Sequence, residues 1–87
     1  MIAKTRIEVT QQDIEDAQFA RGSCFNCPVA LAVKRTLGRT DVLVFAATIR
    51  VGPKREILGY LPAIAVKAIQ AFDVGRGMNP FSFDLDL

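Results

Sequence analysis

The sequence predicts an α+β domain: a four-stranded, mostly antiparallel sheet with helices on one face, in the order β-α-α-β-β-α-β. Three observations lead there. Both ends of the chain alternate apolar and polar residues with the period of two that a half-buried strand requires. Two internal segments repeat their apolar residues at the spacing of one helix face. The apolar run at 41–51 is followed by a Gly-Pro turn and a second short run, the pattern of a hairpin. Right-handed crossovers would place the first and third strands centrally, a ferredoxin-like arrangement, and 87 residues suffice for one domain over 1–87 with a modest core.

Each element has its own justification. In residues 2–9, Ala3, Thr5, Ile7 and Val9 fall on one side and Lys4, Arg6 and Glu8 on the other, which makes a first strand. Thr10 and Asp13 have the spacing of a capping box and open a short acidic helix that turns Ile14 and Ala17 inward. Gly22 and Ser23 mark a turn. The main helix begins with Asn26 or Cys27 as its cap and Pro28 in its first turn, where a missing N–H costs no hydrogen bond. Val29, Ala32, Val33 and Leu37 form its inner face, Lys34 and Arg35 suit the dipole of its last turn, and Gly38 ends it with positive φ. Residues 41–51, apolar on both faces as far as Ala47, read as one long, well-covered strand, GPKRE as a turn, and 56–60 as the returning strand. Pro62 opens a further helix to about Val74, with Leu61, Ala65, Ala68, Ile69 and Phe72 inward and Lys67, Gln70 and Asp73 outward. The final strand alternates Phe81, Phe83, Leu85 and Leu87 with Ser82, Asp84 and Asp86.

Composition narrows the function. With 11 basic and 9 acidic residues the net charge is +2, too even to argue for nucleic acid by itself, although residues 21–67 hold eight basic residues against Asp41 and Glu56. No apolar run approaches the ~20 residues that span a bilayer, and the N-terminus lacks a signal-peptide core, so the expectation is a cytoplasmic protein with no membrane partner. In that compartment a free or metal-bound thiol pair is commoner than a structural disulfide. The chain has no histidine, which excludes a histidine base, a Cys/His dyad, a Ser/His/Asp triad and a histidine metal site within one chain.

The pair Cys24 and Cys27, in CFNC at a helix start, has the spacing that thiol oxidoreductases use, and a helix N-terminus favours the thiolate. A thioredoxin-like pair, however, follows directly on a buried strand and faces a cis-proline loop, whereas this pair does not follow the first strand directly and only Pro62 stands as a distant proline. A structural zinc takes about four ligands, so these two cysteines would need a second copy of the chain, or carboxylates such as Asp13 and Asp16. Thiols packed near a helix cap are the simpler reading, and no cofactor is assigned. Lys34, Arg35, Arg39, Arg50, Lys54 and Arg55 are the interaction candidates, a patch for phosphates or an acidic protein if they share one side of the sheet. Against nucleic acid stands the expectation that this sheet lacks the exposed aromatic pairs that an RNA-recognition module puts on its central strands and that RVGPKRE is a solvated hairpin tip. Asp13, Glu15 and Asp16 lack the spacing of a cation loop, and the glycines form no phosphate loop.

The runs IEVTQQDIEDA, RGSC and NCPVALAV within residues 7–33, together with PFSFDL at 80–85, resemble small proteins of phages, prophages and mobile gene cassettes that combine a VTQxDI start, a CPxALA helix and a PFxFxL end. The resemblance implies an accessory role in a bacterial or viral cytoplasm and supplies no activity and no catalytic residues. The expectation is therefore a non-enzymatic interaction protein, self-associating as a homodimer or bound to another protein through a sheet edge or its basic middle. Its alternatives are a thiol redox or zinc-linked module through Cys24 and Cys27, and a nucleic-acid-binding module through the basic segment.

Overall fold

A computed structural model describes residues 4–18, 26–45 and 47–86. Ala3, the turn at Gly22 and Ser23, Cys24 and Leu87 lie outside the described residues. The order is β1 (Lys4–Val9), α1 (Gln11–Asp16), α2 (Pro28–Leu37), β2 (Val42–Phe45), β3 (Thr48–Val51), β4 (Glu56–Tyr60), α3 (Ala63–Asp73) and β5 (Phe81–Asp86). The fold is α+β with antiparallel pairing throughout, but the described strands form two sheets, β1-β5 and β2-β3-β4, and not one sheet of four strands.

β1 and β5 pair along their whole length, with Ile7 opposite Phe83 and Val9 opposite Phe81 on the inner face. On the outer face Lys4 lies opposite Asp86 and Arg6 opposite Asp84, and Arg6 Nη2 donates to Ser82 Oγ at 2.8 Å. Opposite charges at facing positions favour this pairing and this register. The ferredoxin-like expectation fails here, because β1 has β5 as its only described strand partner and does not stand beside a strand of the other sheet.

The long strand expected at 41–51 is instead two. An unbroken strand of that length would run about 36 Å, nearly the 37 Å of the molecule's longest dimension. The chain reverses after Phe45, so that Phe45 and Thr48 face each other, Thr48 Oγ1 donates to the Phe45 carbonyl at 2.7 Å, and the Leu61 N–H closes on the Ala47 carbonyl at 2.8 Å. GPKRE is a turn as expected, with Gly52 at φ +78° and Arg55 at φ +54° closing the β3-β4 hairpin.

α2 is the centre of the core. Cys27 is its cap, Pro28 its first residue, and Gly38, at φ +66°, its end. Val29, Ala30, Ala32 and Val33 are fully buried and join Ile7, Val9, Phe83 and Leu85 of one sheet to Val42, Val44 and Ile49 of the other. α3 adds Ala65 to that cluster and packs Val66 and Ile69 against it. The sheets meet where β4 passes β5: a Cβ added at Gly59 would lie 3.1 Å from Leu85 Cδ1 and 3.4 Å from the Asp86 carbonyl oxygen. Among the described residues no helix is long and apolar enough to cross a membrane.

Candidate functional site

Facing residues of an antiparallel ladder point to the same side of the sheet. In β2-β3-β4 the row Phe45, Thr48, Tyr60 and the row Leu43, Arg50, Ile57 therefore share one face, while Val42, Val44 and Ile49 turn the other face to the core. A register shift between Ile49 and Arg50 skips Leu58 and keeps both ends of β4 aimed correctly: Gly59 faces inward and Ile57 and Tyr60 outward. On this outer face Phe45 is 55% exposed, Ile57 45% and Tyr60 69%. Arg50 lies along the middle strand, its Nε donating to Thr48 Oγ1 at 3.1 Å. Two exposed aromatic rings thus flank the central strand from the two outer strands, while β3 itself carries no aromatic residue. An undivided strand at 41–51 hides this flanking pair: only the reversal after Phe45 brings that ring level with Tyr60 across Thr48.

The face continues into a shallow cleft of about 210 Å³ lined by Asp41, Leu43, Arg50, Gly52, Pro53 and Arg55. On the other flank of the hairpin tip a second cleft is lined by Arg39, Val51, Gly52, Pro53, Lys54 and Glu56. Arg39 and Asp41 join the two. Nε and Nη2 of Arg39 donate to the two carboxylate oxygens at 2.8 and 2.7 Å. Those hydrogen bonds, with help from backbone N–H groups including that of Gly52, hold the Asp41 carboxyl down at about 2. The acid nearest the face is thus ionised and already engaged.

Of the six basic candidates, Arg39, Arg50, Lys54 and Arg55 gather around the β3-β4 hairpin. Arg35 is elsewhere and is structural: it pairs with the buried Asp13 and donates through Nη2 to the Glu8 carbonyl at 2.8 Å, tying α2 to α1 and β1. Lys34 is half-buried on α2. Asp13 also completes the capping box, accepting from the Thr10 N–H at 2.9 Å while Thr10 Oγ1 accepts from the Asp13 N–H. Cys27 is a buried cap whose Sγ accepts from the Ala30 N–H at 3.4 Å. Among the described residues no three Cys, Asp or Glu side chains converge as a metal site. Comparison with protein-family models, with curated proteins and with solved structures gives no match to this chain.

Proposed function

We propose that the chain is a non-enzymatic interaction protein that engages its partner through the outer face of the β2-β3-β4 sheet, in the accessory role in a bacterial or phage cytoplasm that its resemblance implies. One observation carries this reading: Phe45, Ile57 and Tyr60 stand exposed together on that face around Arg50. Rings and branched chains cost free energy when left in water, and grouped on one face they mark a contact surface. Aromatic residues and arginine also dominate the energetics of such surfaces. Site-specific photocrosslinking in cells tests it, with the probe placed at Tyr60 or Phe45 and, as a control, at the exposed Gln70 of α3. Adducts confined to the sheet positions support the face; equal labelling from Gln70, or none from the sheet, removes it. A homodimer is a second reading, favoured by β2, which ends its sheet and has no described strand on its outer side. Sedimentation at micromolar concentration decides it, a strict monomer ending the idea.

A further inference from the structure

Resting on that reading of the face, we propose that its occupant is single-stranded nucleic acid, with bases stacked on Tyr60 and Phe45 and phosphates held by Arg50 and the cations of the β3-β4 hairpin tip. The two rings stand on strands either side of β3, about 10 Å apart at the backbone, and both are exposed, so each has room for its own base. Every base has a π-face, so such a platform accepts a strand whose bases are unstacked, whereas the major groove of a duplex admits an α-helix or a two-stranded ribbon and its bases are stacked on one another.

Charge selects among occupants. Arg50 stands one row along the middle strand, its Nε reaching the Thr48 that separates the rings, and Lys54 and Arg55 rim the clefts beside them. The acids in those clefts are Asp41 and Glu56, and Asp41 is neutralised by Arg39. A second copy packed face to face about a twofold axis would set Arg50 near its own image, with no acid among the residues of the two rows to separate them. A polyanion with aromatic bases meets both properties of the surface at once, the cations through phosphates and the rings through stacking.

Fluorescence anisotropy with short labelled oligouridylate and oligothymidylate tests the proposal. Saturable binding of either strand at about 50 mM salt is expected, and tighter binding of one assigns RNA or DNA. Tyr60→Ala should weaken binding about tenfold and Tyr60→Phe, which keeps the ring, should not. Both aromatic side chains are exposed, so their removal spares the core. Neutralising about two phosphates implies a salt slope near −1.4, roughly a sevenfold loss for a fourfold rise in salt. Asp41→Asn, which releases Arg39 and removes a negative charge from the cleft, should tighten binding. No anisotropy change at low salt overturns the proposal, as does binding indifferent to both Tyr60→Ala and Phe45→Ala. Photocrosslinks from Tyr60 to protein alone sink the nucleic-acid partner and leave the face standing; no crosslinks from that position sink both.

Discussion

Asp13 shows how one carboxylate acquires several tasks. Its place three residues after Thr10 makes it half of a capping box, and that much is legible from sequence because the partners are local. Its bond to Arg35 is not, since nothing in a residue's periodicity reports a partner 22 positions away. With Asp13 nearly buried and Arg35 about half exposed, removing the acid takes away the carboxylate partner of Arg35 and the half of the capping box that accepts from the Thr10 N–H, while Thr10 Oγ1 and the Glu8 carbonyl keep their bonds. Asp13→Ala should therefore cost about 2 kcal/mol in urea unfolding, less than breaking a fully buried pair because Arg35 is half exposed. Cys27 gives a contrasting case. Because its sulfur accepts the Ala30 N–H, Cys27→Ala should lose about 1 kcal/mol while Cys27→Ser, with an oxygen acceptor, stays near wild type. Asp41 gives the pH dependence. Its carboxyl is lowered from 3.8 to about 2, chiefly by Arg39, so its contribution is complete above 3.8 and is lost as pH falls through about 2. NMR titration should find the midpoint near 2 in the native chain and a higher one in Arg39→Gln, where only the backbone N–H groups still hold the carboxyl down. Exposure of both partners keeps the effect on stability small.

Elements with chemically marked ends are those the sequence reveals. α2 has Pro28 at its start and Gly38 at its stop, and β1 and β5 alternate without interruption. Residues 41–51 have no such mark. A hairpin of two short strands is usually announced by Asn-Gly or Asp-Gly, and the residues between Phe45 and Thr48 are two alanines, so an apolar run reads as continuous when it is folded back. Nor does periodicity report how two sheets approach each other. That contact rests on Gly59, where β4 comes against Leu85, itself 1% exposed and therefore short of room to move. Gly59→Ala should accordingly destabilise by about 1–2 kcal/mol, the scale of a modest overpacking, measured by urea unfolding. A matching Leu85→Val change, which takes away the clashing methyl, should recover part of the loss in Gly59→Ala relative to its effect in the native chain.

Across the whole molecule, the two sheets solve the problem of their outer faces differently. The β1-β5 sheet sets Lys4 and Arg6 opposite Asp86 and Asp84, a polar surface on which charges of both signs face each other. The β2-β3-β4 sheet leaves its charge unmatched within the two rows, Arg50 standing alone among Leu43, Phe45, Ile57 and Tyr60. A cation at the middle of an apolar face opposes its closing on a copy of itself, because desolvating two facing guanidiniums without a carboxylate is unfavourable. On the proposed reading of this face Arg50 has two consequences from one position: it opposes self-association of the apolar surface, and it favours a partner bringing negative charge. Arg50→Leu separates them. The core is untouched, and the face becomes a continuous apolar patch of the kind that drives association. Sedimentation should show Arg50→Leu as a larger species than the native chain at equal concentration, and Tyr60→Ala added to it should reverse the shift. If Arg50→Leu sediments like the native chain, charge is not what keeps the face open.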